Sequence, residues 1–175
     1  IEERRDTMVE LYQESELEPV PFTLNLSVDS TEETLAMQLR NILSLSDDIQ
    51  IKFRKPEVAL SYCIAKLEEQ DFLVFQAAKI HPNEMRGLSV AYDTFPIIAL
   101  NRKDEPSARL FTLLHELVHI VTRTSGICND MSQDKSRVGQ IELLCNKIAG
   151  LTLVPTEQLK LSKHIQSIQI GRAHV

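Results

Sequence analysis

The segment LFTLLHELVHIV, residues 110–121, constrains the fold most, because three titratable side chains interrupt an almost wholly apolar run. Apolar residues three and four positions apart predict a helix with one buried face. Burying an unpaired polar group costs about 2–7 kcal/mol. His115, Glu116 and His119 therefore need partners, which are either a hydrogen-bonded core network or a metal ion.

The spacing of the two histidines favours the metal. Residues four apart on a helix differ by about 40° in direction and about 6 Å in height, so His115 and His119 project from one face. Two imidazoles placed in this way can bind one Zn²⁺, with Glu116 beside the open side of the ion. A metal lowers the pKa of bound water towards about 7, and a nearby carboxylate can carry its proton to a leaving amine. The motif therefore predicts metal-assisted peptide hydrolysis with Glu116 as the general base.

A zinc ion at such a site needs a third protein ligand, with water in the fourth position. The downstream candidates are Cys128, Asp130, Asp134, Glu142 and His164. Glu142 is favoured because it lies in the apolar row IELLCNKIA, where an unpaired carboxylate is costly. Asp130 and Asp134 lie in a polar loop, where water already solvates them. Asn146, one turn after Glu142, shares its face and either supports the metal ligands or is satisfied by the backbone.

Three other residues are weaker candidates. Thr112 lies one turn before the motif, where it could face the metal side, and Arg109 lies a further turn back. Tyr92 could donate a hydrogen bond to an oxyanion. For each of them an ordinary structural role is favoured over a functional one. Arg109 would be solvated, Thr112 would bond to its own helix and Tyr92 would pack in the fold.

The composition limits the class of protein. A chain of 175 residues, 43% of them hydrophobic, predicts one main domain. The net charge of −6 argues against direct nucleic-acid binding by these residues. The apolar runs fall far short of the roughly 20 residues that span a bilayer, so we expect no membrane association. Three widely spaced cysteines are typical of reduced thiols, so we expect a cytoplasmic protein.

Periodicity along the chain predicts an α+β fold. We expect helices over residues 3–17 and 30–43, from about Pro56, from Pro106 to Arg123 with Gly126 just past the end, and from Arg137 to the residue before Pro155. Ser30, with Glu33 three residues on, predicts a capping box. Residues 18–30 contain two prolines and predict a linker or an edge strand. DFLVFQA and GLSVAYDTFPIIALN predict three short strands, the last two joined around Tyr92.

Four stretches in this order resemble the ImmA/IrrE family of zinc metallopeptidases: GLSVAYDTFPIIALN, ARLFTLLHELVHIV, SGICND and IELLCNKIAGLTLVP. The resemblance covers most of residues 25–160. It implies a small zincin-like α+β domain, with helices around a small mixed or antiparallel sheet. It also implies one Zn²⁺ per chain, held by His115, His119 and Glu142, with Glu116 as the base. The implied substrate is a regulatory protein, either a DNA-binding repressor or an antitoxin.

The resemblance also implies a helix-turn-helix domain upstream, and the chain begins at Ile1 rather than at a methionine. We therefore expect residues 1–25 to be a connecting helix and linker from a missing upstream domain, and residues 26–165 to be the peptidase domain. Residues 170–175 end in GRAHV, which one reading frame of a common sequencing adapter encodes, so we expect an artefactual tail. The alternative function is a zinc-containing sensor module of a transcription regulator without peptidase activity. The presence of Glu116 favours the peptidase over the sensor module, because a site that only holds zinc does not need a general base.

Overall fold

The computed structural model describes residues 2–27, 29–78, 81, 84–124 and 135–156. These residues form six helices and a three-stranded sheet, which confirms the predicted α+β class. The helices are α1 (Glu2–Glu14), α2 (Glu32–Ile42), α3 (Asp47–Gln50), α4 (Pro56–Glu68), α5 (Pro106–Val121) and α6 (Lys135–Leu153). The strands are β1 (Leu73–Ala77), β2 (Gly87–Val90) and β3 (Ile97–Asn101). None of the described helices is long and apolar enough to cross a membrane.

The sheet is mixed, in the order β1-β3-β2. The central strand β3 pairs in parallel with β1 and antiparallel with β2, and all five of its residues are buried. The pair of strands predicted around Tyr92 is therefore confirmed, with Pro96 just before β3, where a missing N–H donor is tolerated. This order leaves β2 at an edge of the sheet.

The motif helix α5 is the centre of the domain. It packs against β2 and β3, and it contacts α4 and α6. Its fully buried side chains include Leu113, Leu114, Leu117, Val118 and Ile120. Burying an aliphatic side chain of this size contributes about 1.5–3 kcal/mol, so this face fixes the rotation of α5 about its own axis. The same rotation decides where the histidines point.

Two helix ends differ from the sequence-based expectation. The N-cap of α2 is Thr31 rather than Ser30, and its hydroxyl accepts a hydrogen bond from the Thr34 N–H at 3.3 Å. Helix α5 stops at Val121, so placing Arg123 in its last turn was wrong. The backbone reverses at Arg123, whose φ of 56° lies in the left-handed region. Gly126, the expected C-terminal signal, lies outside the described residues.

The reversal after α5 is a Schellman motif. The Thr124 N–H donates to the His119 carbonyl at 2.9 Å, and the Arg123 N–H donates to the Ile120 carbonyl at 3.1 Å. Both bonds satisfy carbonyl groups that the helix end would leave unpaired. The motif folds Thr124 back towards the last turn of α5, beside His119.

The N-terminal part packs on the turn between β2 and β3. The predicted first helix is confirmed as α1, whose Arg5 lies over the Tyr92 ring at 4.0 Å and donates to the Thr94 carbonyl at 3.2 Å. Residues 18–27 form no strand, so the edge-strand alternative was wrong. They are held by single bonds, such as that from the Leu26 N–H to the Val121 carbonyl at 2.7 Å. The assignment of residues 1–25 to a connection with another domain stays a prediction.

Candidate metal centre

Two helices bring the three predicted ligands together. His115 and His119 project from α5, and Glu142 faces them from α6. The two Nε2 atoms are 3.0 Å apart, and Glu142 places one carboxylate oxygen 3.2 Å from His115 Nε2 and the other 3.4 Å from His119 Nε2. Within the described ranges these residues form the one cluster of three metal-ligating side chains.

The spacing of these atoms fits a small tetrahedral ion. Zinc binds nitrogen and oxygen ligands at about 2.0–2.2 Å, so two ligand atoms on one ion lie about 3.3 Å apart. The observed separations of 3.0, 3.2 and 3.4 Å bracket this value. Two neutral imidazoles and a carboxylate are also one of the donor sets that catalytic zinc sites use. The residues present therefore fit a zinc-like ion.

The charge state of His119 suits ligation. Burial lowers the pKa of His119, the nearby His115 lowers it further, and Glu142 opposes both effects. A lowered pKa keeps the imidazole neutral near pH 7, and the neutral form is the one that binds metals. Its side chain is almost fully enclosed, whereas the Glu142 side chain is 39% exposed.

Glu116 lies beside the three ligands and is held by the sheet. The Ser89 hydroxyl of β2 donates to Glu116 Oε2 at 2.6 Å. Burial raises the pKa of Glu116, while the Ser89 hydrogen bond and the neighbouring His115 lower it and Glu142 raises it. A raised pKa makes the carboxylate a stronger proton acceptor, which suits a general base.

A glycine lets β2 approach α5 this closely. A Cβ atom at Gly87 would lie 2.8 Å from Glu116 Oε1 and would also collide with the Thr112 methyl group. Sequence reasoning missed both Gly87 and Ser89 as parts of the site. The available signal is a glycine and a serine two residues apart in a strand, on the face that turns towards the helix.

His115 and Glu116 line a cleft of about 370 Å³. Thr112 lines this cleft, on the side where the sequence placed it as a candidate, and so does the segment from Glu84 to Gly87. Tyr92 is engaged elsewhere, since its hydroxyl donates to Glu2 and its ring lies under Arg5. Arg109 donates to the Gln76 side chain at 3.1 Å.

Two polar side chains support the histidines from behind. Asn146 Oδ1 lies 3.1 Å from His115 Nδ1. This contact agrees with the first of the two roles expected from the sequence, in which Asn146 supports a metal ligand. Thr124 Oγ1 lies 3.0 Å from His119 Nδ1 and was not foreseen. Second partners of this kind orient metal-ligating imidazoles. The other candidate third ligands, Cys128, Asp130, Asp134 and His164, lie outside the described residues.

Residues 68–169 match the IrrE N-terminal-like domain family, peptidase family M78. The chain belongs to this family. The matched segment contains all three strands, α5 and α6, so it includes every element that builds the M78 cleft. The family is typically metal-dependent, which agrees with the converging ligands. Among curated proteins, none matches the chain.

Proposed function

We propose that this M78 domain is a zinc-dependent endopeptidase. The observation that carries the proposal is the convergence of His115, His119 and Glu142 at tetrahedral spacing, with Glu116 lining a cleft beside His115 but left out of the ligand set. A site that only stored or sensed zinc would gain nothing from a second, partly buried carboxylate. Burying one is costly unless it is used or fully paired.

The residues of the chain divide the chemistry between them. Zinc, when bound, would polarise the peptide carbonyl and acidify water. Glu116 accepts a proton from the attacking water and then delivers it to the amine as the C–N bond breaks. Ser89 holds the carboxylate through one oxygen, so the other remains directed at the cleft. The products are a free carboxylate and a free amine.

The edge strand β2 offers a place for the substrate backbone. The Asn101 N–H bonds to the Arg86 carbonyl, so Arg86, Leu88 and Val90 direct their backbone groups towards β3. The alternating residues Gly87 and Ser89 then direct theirs to the free edge. An extended peptide can pair with these groups and lie across the cleft. A flexible or locally unfolded segment satisfies this requirement, and a packed helix does not.

The proposed substrate is a regulatory protein, either a DNA-binding repressor or an antitoxin, cut once in an accessible segment. The net charge of −6 supports a basic partner by long-range attraction, although this term is small when spread over a surface. No direct contact with nucleic acid or membrane is part of the proposal.

The test compares a repressor encoded beside this chain with unstructured casein, each incubated with the zinc-loaded protein and analysed by mass spectrometry. We expect one defined cut in the repressor, removed by a chelator. Glu116→Gln should retain zinc and lower the cleavage rate by about 10²–10⁴-fold or more, because it removes the base. Glu105→Gln, an exposed carboxylate at the start of α5, is the matched control and should cleave normally.

Each other outcome rejects part of the proposal. Rapid casein digestion with an intact repressor indicates a general peptidase. A Glu116→Gln variant as active as the wild type shows that the base lies elsewhere. A zinc-loaded protein that cuts neither substrate, yet changes shape or partner with zinc, favours the sensor module.

A further inference from the structure

We propose that Thr122 and Thr124 form a one-way hydroxyl relay that fixes the tautomer of His119, so that Nε2 always presents its lone pair to the metal site. The inference rests on the proposed function only for the zinc that this lone pair would bind. The tautomer itself is a property of the chain and can be measured without zinc.

The direction of the relay is set by a backbone carbonyl. Thr122 Oγ1 lies 2.7 Å from the Val118 carbonyl oxygen, which can only accept a hydrogen bond. Thr122 therefore donates its single hydroxyl hydrogen to Val118. The two threonine oxygens are 2.9 Å apart, and since the hydrogen of Thr122 is already engaged, Thr124 must be the donor between them.

The only hydroxyl hydrogen of Thr124 is therefore donated to Thr122 and is not available to His119. Its oxygen lies 3.0 Å from His119 Nδ1, and this bond forms only if Nδ1 carries a hydrogen. A neutral imidazole has one N–H, so Nε2 must hold the lone pair. Nε2 is the atom that faces His115 and Glu142.

Burial protects the relay from exchange with water. The exposed fractions are 9% for Thr122, 6% for Thr124 and 4% for His119. Cys145 Sγ also lies 3.6 Å from His119 Nδ1, but a thiol is weak both as a donor and as an acceptor, so the closer Thr124 oxygen at 3.0 Å sets the direction of the relay. Reversing the relay would give up the 2.7 Å hydrogen bond from the Thr122 hydroxyl and leave the Val118 carbonyl with the Thr122 N–H as its partner.

His115 lacks such a fixed partner. The Asn146 amide carries both an acceptor oxygen and a donor nitrogen, and by rotating it can satisfy either tautomer of His115. In the absence of a metal, His115 can therefore donate from Nε2 to His119 Nε2. With zinc bound, His115 must carry its hydrogen on Nδ1 instead. Zinc loading then changes the tautomer of one histidine only.

The direct test is long-range ¹H–¹⁵N correlation of the histidine side chains in the whole chain at about pH 8, above the ordinary histidine pKa of about 6.5. We expect His119 to carry its hydrogen on Nδ1 in both metal-free and zinc-loaded protein. We expect His115 to move its hydrogen from Nε2 to Nδ1 on loading. A metal-free His119 with its hydrogen on Nε2 overturns the proposal.

Variants test the relay through zinc affinity, measured by competition with a chelator. Thr124→Val replaces the acceptor by a methyl group and should weaken zinc binding by about 10–100-fold, as the loss of other supporting partners does. Thr124→Ser keeps the hydroxyl and should restore affinity. Thr122→Val leaves the Thr124 hydroxyl free to turn towards Nδ1, so it should give a mixed His119 tautomer and a smaller loss.

Thr152→Val is the matched control. Thr152 is fully buried on α6 and donates to the carbonyl four residues earlier, that of Ile148, at 2.8 Å, as Thr122 does to Val118. It should leave zinc affinity unchanged. Equal zinc affinities for Thr124→Val and Thr152→Val would overturn the relay. A wild type with the expected tautomer that cuts no peptide would reject the proposed function and leave the relay standing.

Discussion

Two clefts of nearly equal volume lie along α5, and their walls differ in chemistry. The metal cleft, beside His115 and Glu116, has a volume of about 370 Å³. The second, which we call the apolar cleft, lies near the start of α5 and has a volume of about 360 Å³. Its inner wall contains Ala59, Cys63 and Leu110, and its cationic side chains lie exposed at the rim.

The difference shows that cavity size says little about function. Around the metal cleft the reactive side chains have specific partners from other parts of the chain, as Glu116 has Ser89 and His119 has Thr124. Such directional contacts tolerate little displacement. In the apolar cleft Gln50 has such partners, since it accepts from Arg40 and donates to the Leu153 carbonyl, but the inner wall of Ala59, Cys63 and Leu110 is apolar.

Removing a ligand should have the largest effect. His115→Ala and His119→Ala should each lose stoichiometric zinc in elemental analysis, and Glu142→Gln should weaken zinc binding by more than about 100-fold, since losing a ligand exceeds losing its support. Asp130→Asn and Asp134→Asn should bind zinc nearly as the wild type does. Zinc retained by both histidine variants would reject the site, and zinc lost only in the aspartate variants would mean that Glu142 is the wrong carboxylate.

Adding carbon atoms should affect the two clefts in opposite ways. Gly87→Ala adds one carbon that meets Glu116 and Thr112, so it should displace the base and lower kcat by about 10–100-fold. Ala59→Leu adds three carbons to the open apolar cleft and should leave kcat and zinc content unchanged. Steady-state kinetics should give kcat for both variants, and thermal unfolding should show whether either variant has lost stability. Equal losses of kcat would show that the clefts are not functionally distinct.

The smallest effect concerns the Cys63 thiol on the wall of the apolar cleft. Burial raises the pKa of Cys63 to about 12, and the side chain is 1% exposed. Native protein at about pH 8 should therefore leave Cys63 unalkylated, and urea should expose it, as mass spectrometry of its peptide can show. Because the folded pKa is raised, this group favours folding below about pH 9 and loses that contribution as pH rises towards 12. Rapid alkylation in native protein would indicate that the wall of the apolar cleft opens and exposes the thiol.

Local rules predicted much of the fold from the sequence. A proline at the first helical position located the start of α4 at Pro56 and that of α5 at Pro106. Helical periodicity put His115 and His119 on one face. The cost of burying a carboxylate singled out Glu142, but its side chain is 39% exposed, so the premise of burial was wrong although the residue does face the histidines. Each of these inferences needs only residues on one element and a general energy scale.

The residues that escaped prediction act across elements. Ser89 is an ordinary strand residue until β2 meets α5, and Thr124 reaches His119 only because the chain reverses at Arg123. A left-handed backbone at an arginine has no sequence signal, since glycine is the residue expected there. Ser30 and Thr31 both carry a capping hydroxyl, so composition alone could not separate them.

The Schellman motif at Arg123 also has a mechanical consequence. The guanidinium donates to the Phe22 carbonyl at 2.9 Å and to the Ala91 carbonyl at 3.4 Å, so one side chain joins the N-terminal segment to the end of β2. The next residue in the chain is Thr124. A pull on the segment before Phe22 loads these bonds together with the backbone bond from the Phe22 N–H to the Asp93 carbonyl. Arg123 is thus one joint through which tension on the N-terminal segment reaches the backbone next to Thr124.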